Sequence, residues 1–435
     1  MRGLLKGFCF IINVAYIFTS ECAMYCIFRD YLRCIDGITH RLAHINILYV
    51  KVFQAIALNN KFIDEKTNRQ LLKFTDNAPW TIDDINTTEL INISEKYNLV
   101  MANGYETPIN SGMISLVFKA YQRHTGAPMI IKIKRANIEQ QLNDAIENLQ
   151  TIVYLLSYIP IFDKYRLPDL VNKNMNLIRQ QTNFMEEVNN TNIMKENCKN
   201  LKYVRIPAIN KEVTEKYPNS ILMEYIDGIK INEIDEEDYD GFAKLVLKLG
   251  VVTTIIHGFA HGDLHGGNIL FIKDAHDEKY KYKLGIIDFG IVYNITPEYR
   301  DLLFEICTQI LEIPPVEMAK KFLYSSMIAP PNIIQQISPL HRDNIIAFTA
   351  KIIDESVHKT KRACQTQVYK FLKSITEYLN TSDIADIGIR PSDELIKMQM
   401  VLAMSHGVTM TLCRGDFISF AEKVMAELFH TDIIM

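Results

Sequence analysis

Cysteine is scarce: eight in 435 residues are too few to staple so long a chain with disulfides, and the one close pair, Cys22 and Cys26, has no second pair at zinc-ligand spacing. A disulfide scaffold and a zinc module are therefore not expected, and reduced thiols are. An excess of positive charge is missing too. With 47 basic and 51 acidic side chains and a net charge of −4, no overall basic field exists to hold a phosphate backbone, so nucleic acid is not an expected partner. Internal repeats and long low-complexity tracts are absent, and so is a long hydrophobic run. The most apolar stretch, residues 7–19, falls short of the roughly 20 residues a membrane span needs, and Ser20 and Glu21 interrupt it. No small-residue cleavage site follows, so a buried or membrane-lying helix is expected here rather than a cleaved leader. The expectation is an intracellular protein that meets a membrane surface only through this segment. What remains is ordinary globular material. At 48% hydrophobic and 23% charged residues the chain should fold, and its length implies two or more lobes.

After the apolar segment 1–35, residues 36–96 read as a helical extension. Apolar positions recur at three and four through ITHRLAHINILYVKVFQAIALN, up to a polar boundary at Pro79, Thr81, Asp83 and Asp84. Beyond Tyr97 the period becomes two. ISLVFKAY (114–121) and MIIKIKR (129–135) are β-branched, alternating runs, and the QRHTGAP between them suits a hairpin turn. Helical spacing over 138–159 and 175–190 and a strand at 221–226 complete a small β-containing lobe spanning 97–226. From 227 to 435 the pattern is helical apart from a short strand pair around residues 260–290. Thr296, Pro297 and Glu298 supply a cap, a first-turn proline and an acid at the positive helix end, so a helix should begin there.

The segment AHGDLHGGNILF (260–271), followed by LGIIDFG (284–290), carries the chemistry. Phosphoryl transfer needs an acceptor-orienting carboxylate, metal ligands and a charge clamp on the phosphates. In the pattern H-x-D-x-x-x-x-N, Asp263 would orient the attacking hydroxyl or water and accept its proton, while Asn268 and Asp288 would hold Mg²⁺. His261 is expected to brace the loop. A competing reading places His257, His261 and His265, four apart, on one helix face as metal ligands, but Gly262, Gly266 and Gly267 argue against a continuous helix. Lys132 lies on the strand face opposite Ile131 and Ile133. Alone it would be a solvated charge; beside a Mg²⁺ loop it reads as the lysine that clamps ATP phosphates, which requires a glutamate on a helix. Glu187 is the expected partner, since Glu186 points about 100° away around the helix. ILMEYIDG reads as a strand entering a hinge, where backbone groups of Glu224 and Tyr225 meet adenine and Met223 lines the pocket.

Together these residues resemble the UbiB/AarF family of atypical kinases, many of whose members are linked to coenzyme Q biology. The resemblance runs from about residue 45 to 422. YVKVFQ is similar to the family's K-x-G-Q segment, placing Lys51 and Gln54 at its motif positions as regulatory residues. PINSGMISLVFKA is similar to the alanine-rich loop and second strand, IKIKRANIEQQLNDAIENLQ to the lysine strand and family-specific helix, and MQMVLAMSHGVTMTLCRGDFISFAEKV to the last helix pair. Departures accompany the matches. Phe53 replaces the motif glycine, Gln181 and Asn183 stand at the two acids of E-x-D, and Gly112 sits in the loop that is elsewhere alanine-rich, suggesting a phosphate-cradling glycine loop. The resemblance implies an α+β, bilobal protein kinase-like fold with a small β-containing N-lobe, a helical C-lobe and an N-terminal helical extension. It also implies ATP and Mg²⁺ as cofactors, and a lipid or small molecule as acceptor or regulator. HGDLHGGN resembles the aminoglycoside and choline phosphotransferases as well, so a small-molecule phosphotransferase is one alternative and a nucleotide-binding pseudokinase scaffold another. Retention of Lys132, Asp263, Asn268 and Asp288 favours an enzyme. The richness in Ile, Asn and Lys is what AT-rich codons encode, as in large DNA viruses.

Overall fold

The computed structural model describes residues 2–46, 48–49, 78–156, 158, 175, 178–309, 312–355, 374–375, 377–379, 381, 384 and 386–430. Lys51, Phe53 and Gln54 lie outside them. The chain forms two compact units, Met1–Asn192 with Pro207–Tyr225, and Ile193–Ile206 with Ile226–Met435. Residues 193–206 go with the second because Met194, Cys198, Leu201 and Tyr203 belong to its hydrophobic core.

The first unit opens on the helix Arg2–Phe28. Ser20 and Glu21 do not end it, contrary to the expectation from the apolar run. Both are satisfied by Arg41 of the helix Tyr31–Ile45, whose guanidinium donates to Ser20 and pairs with Glu21 at 3.1 Å. Phe10 and Ile17 are buried on this side. As a result Cys9–Phe28 is long and apolar enough to cross a membrane by length and composition, and 11% of it is buried.

A six-stranded sheet follows, built from β1 (Leu99–Met101), β2 (Asn110–Ser111), β3 (Ser115–Gln122), β4 (Pro128–Lys134), β6 (Ile209–Asn210) and β7 (Ser220–Glu224), with β5 (Val204–Arg205) belonging to the second unit. The order is β1-β3-β4-β7-β6, and β2 pairs with β3. The expected hairpin forms: Gly126 takes a φ of +70°, and Gln122 donates to Ala127 at 2.9 Å. Alternation then divides the side chains. Leu116, Phe118, Ala120, Ile131, Ile133 and Leu222 pack with Leu90 and Ile93 of the helix Thr87–Lys96. Ile130, Ile221 and Met223 join Phe184 and Val188 of the helix Phe184–Asn197. The helical reading of 175–190 breaks at Thr182 and Asn183, because Asn183 starts a new helix. Its side chain accepts from Glu186 N–H at 3.3 Å, the capping contact a helix N-terminus lacks.

In the second unit the helix Tyr239–Val251 packs on Asp393–Leu412, so closely that a Cβ on Gly250 would lie 2.5 Å from Ser405 Oγ. The unit holds more strands than one short pair. β8 (Phe259–His261) pairs with β11 (Val292–Asn294), β9 (Ile269–Lys273) with β10 (Tyr282–Ile286), β10 with β5, and β12 (Ile328–Ala329) with β13 (Arg390–Pro391). Such pairings join segments far apart in sequence and leave little local periodicity to read. The helix signalled by Pro297 runs Pro297–Gln309.

Candidate active site

In the first unit, the register Lys132↔Ile221 places Lys132 on the sheet face covered by the helix Phe184–Asn197. Phe184 and Val188 anchor that helix, and this turns Glu187 inward and leaves Glu186 exposed. Lys132 Nζ donates to both carboxylate oxygens of Glu187, at 2.7 and 2.9 Å. The two residues are only 7% and 3% exposed, so the pair sits where charge is expensive unless partnered.

Gly112 behaves otherwise than as a free phosphate-cradling glycine. Its φ is outside the left-handed region and an added Cβ would sit 3.4 Å from Ser115 O, so the position does not demand glycine. Its N–H is donated to Ser115 O at 2.8 Å. Its carbonyl accepts from Arg135 at 3.0 and 2.9 Å. Arg135, a basic residue at the end of an alternating run with no motif to mark it, also donates to Pro79 O and Asp84, both at 2.9 Å, and so ties the loop to the polar boundary preceding the sheet. Burial lowers the Arg135 pKa, and the Asp84 carboxylate opposes that shift. At the end of β7 the backbone donors are likewise engaged. Glu224 N–H reaches Ala208 O at 2.8 Å and Tyr225 N–H reaches Pro128 O at 3.3 Å, while Met223 is buried beside Phe184. Lys119 Nζ lies 3.9 Å from the Tyr225 ring centroid, a cation–π contact. Gln181 and Asn183, at the E-x-D positions, are respectively half-buried and the helix cap.

In the second unit, the β9–β10 register Ile286↔Ile269 sets Asn268 beside the start of the Asp-Phe-Gly turn. Ile287 N–H donates to Asn268 O at 3.1 Å. Asn268 Nδ2 donates to Asp263 O at 2.9 Å, which commits the amide nitrogen and leaves the side-chain oxygen as its acceptor end. Asp288 adopts a φ of +64°, rare for a non-glycine residue, and its Oδ1 accepts from Gly290 N–H at 3.2 Å. Gly262 is required: a Cβ there would meet Ile291 Cγ2 at 2.5 Å and Tyr293 at 2.9 Å.

The three histidines do not share a helix face. His257 follows the π-helical turn Val252–Ile256 and His261 ends β8, while His265 caps the short turn Gly266–Asn268. Among the described residues no group of three His, Cys, Asp or Glu is placed to hold a metal. His261 is instead the brace. Its Nδ1 accepts from Asp263 N–H at 3.1 Å, and its Nε2 faces Ile287 O at 3.4 Å. Burial pushes its pKa down, against the opposing pull of Asp263 and Asp288, which keeps the ring neutral. Mg²⁺ fits the residues that remain. Asn268 and Asp288 offer hard oxygen donors from adjoining turns, and Mg²⁺ commonly takes only one or two protein ligands, with phosphate oxygens and waters completing the octahedron.

The ABC1 atypical kinase-like domain matches residues 75–321, more than half of the chain. Among relatives, Protein ACTIVITY OF BC1 COMPLEX KINASE 8, chloroplastic, of Arabidopsis thaliana is 28% identical over 231 residues, covering 51% of this chain and 29% of that protein. AarF domain-containing protein kinase 1 of Gallus gallus is 22% identical over 284 residues, covering 64% and 53%. The chain thus spans between 29% and 53% of the length of these relatives. A solved structure, the complex of Rv3197 with erythromycin from Mycobacterium tuberculosis, aligns with a TM-score of 0.48 at 17% identity over 76% of this chain and 78% of that one. The chain belongs to the ABC1 atypical kinase-like domain family, with its α+β kinase-like fold.

Proposed function

We propose that the protein is an ATP- and Mg²⁺-dependent phosphotransferase or ATPase whose acceptor or regulator is a lipid or small molecule. The observation that supports this best is the interlocked loop in which Asn268 Nδ2 holds the Asp263 carbonyl while its own carbonyl anchors Ile287, the residue before Asp288. In this reading Lys132, oriented by Glu187, clamps the nucleotide phosphates. Asp263 takes the proton of the attacking hydroxyl or water, His261 holds the loop, and Asn268 and Asp288 are the Mg²⁺ ligands. Bound Mg²⁺ neutralises charge developing on the transferred phosphoryl group. Met223, Glu224 and Tyr225 lie at the expected adenine-contacting strand end, where the Glu224 and Tyr225 N–H groups already have partners. The same reading gives Cys9–Phe28 a role in membrane attachment. Its sole charged side chain, Glu21, is turned to Arg41, while Ile12, Tyr16 and Ile27 remain exposed.

The test is ATP turnover by the purified chain with and without lipid or detergent. Asp263→Asn should lower turnover by roughly 10² to 10⁴ while thermal stabilisation by Mg-ATP persists. Asp288→Asn should abolish that stabilisation. Binding of Mg-ATP without turnover, unaffected by Asp263→Asn, would replace the enzyme with a nucleotide-binding scaffold.

A further inference from the structure

Resting on the reading of Asp263 as the base, we propose that His265 is a positioning residue that aims the Asp263 carboxylate through its Nε2–H. The backbone of Asp263 is fixed at three points. Its N–H meets His261 Nδ1 at 3.1 Å, and its carbonyl accepts from Asn268 Nδ2 and from His265 N–H, both at 2.9 Å. None of these contacts sets the rotation of the side chain, which is about a quarter exposed. Among the described residues, His265 Nε2 lies 3.9 Å from Asp263 Oδ2, with His261 and Tyr293 also within electrostatic reach of the carboxylate.

The ring's proton is located by its other nitrogen. His265 Nδ1 accepts the Gly267 N–H at 3.0 Å, so a neutral ring carries its hydrogen on Nε2, the nitrogen directed at Asp263. A gap of 3.9 Å closes with a small side-chain rotation, as contacts at such sites commonly tighten when substrate binds. With Oδ2 held by this donor, Oδ1 is the oxygen that receives the acceptor's proton. The acceptor O–H bond breaks, an O–H bond forms on Oδ1, and the freed electron pair attacks the γ-phosphorus as ADP departs. His265 itself exchanges nothing.

Two substitutions separate positioning from loop capping. In His265→Asn the amide oxygen can take the place of Nδ1 and still accept from Gly267, but no donor reaches Asp263. In His265→Gln the amide nitrogen reaches the place of Nε2, and the cap is lost. With the full chain and saturating Mg-ATP, His265→Asn should lower kcat about 10- to 100-fold at unchanged KM for ATP, and His265→Gln should recover to within about threefold of wild type. Rates are taken per molecule that binds Mg-ATP, so a partly unfolded variant is still scored. Wild-type kcat in His265→Asn, or no advantage of Gln over Asn, would reduce His265 to a loop cap. Asp263→Asn measured alongside keeps the two ideas apart. Full activity there removes the base assignment itself, whereas an inactive Asp263→Asn with a normal His265→Asn removes only the role of His265. A wild type without turnover removes both.

Discussion

Breaking the Lys132–Glu187 pair is the most quantitative test of the first unit. Lys132 and Glu187 meet at 2.7 and 2.9 Å with side chains only 9% and 4% exposed, so screening by water is slight and the cost of a stranded charge is large. Glu187→Leu removes the nearest counter-charge of a buried ammonium, and Lys132→Met does the same to the carboxylate; each should cost about 3–5 kcal/mol. In the double variant both charges are gone, and Phe184, Val188, Ile221 and Met223 already provide an apolar setting. That variant should therefore be near wild-type stability or above it by about 1–4 kcal/mol. The double-mutant cycle then gives a coupling energy of at least about 6 kcal/mol, far beyond the 0.2–1 kcal/mol typical of exposed pairs. In thermal unfolding each single change should lower the Tm by roughly 6–20 °C, at about 2–4 °C per kcal/mol for a unit of this size. Urea unfolding of the four proteins, with m compared across the set, supplies the free energies. Additive single changes, with coupling below about 0.5 kcal/mol, would mean that the pair is not formed in solution.

Two further expectations concern the loops and the acid limb of stability. Gly262→Ala forces a Cβ to within 2.5 Å of Ile291 and 2.9 Å of Tyr293 and should cost about 1–3 kcal/mol, whereas Gly112→Ala, whose Cβ would sit 3.4 Å from Ser115 O, should stay within about 1 kcal/mol of wild type; equal Tm losses for the two would contradict this contrast. Burial pushes the His406 pKa down to about 4, only partly opposed by its hydrogen bond to Leu402 O. The unfolded chain then binds the proton more readily, so this contribution is complete above about pH 6.5 and is lost as the pH falls towards about 4, amounting to about 3 kcal/mol. His406→Asn should flatten the slope of urea-unfolding free energy between those pH values, and an unchanged slope would exclude His406 as its source.

Local sequence specifies what depends on near neighbours. Period-two runs around a Gly-Pro turn specify β3 and β4, because alternation and turn chemistry act within a few residues. The same alternation assigns Lys132 to the face opposite Ile131 and Ile133, as found. Asp263, Asn268 and Asp288 stand out in the sequence as candidates because a short loop and a hairpin fix their spacing. Other features depended on packing between distant segments. Sequence separates Glu187 from Glu186 only by about 100° of helix; the burial of Phe184 and Val188 against Ile221 and Met223 decides between them. Gly112 resembles a flexible phosphate loop until Arg135, 23 positions on, takes its carbonyl. The π-helical turn ahead of His257, the strand pairing of Ile328 with Pro391, and the tautomer that points His265 at Asp263 leave no periodic trace. Each is set by a hydrogen bond or close approach that exists only once the chain has folded, so no local pattern could announce it.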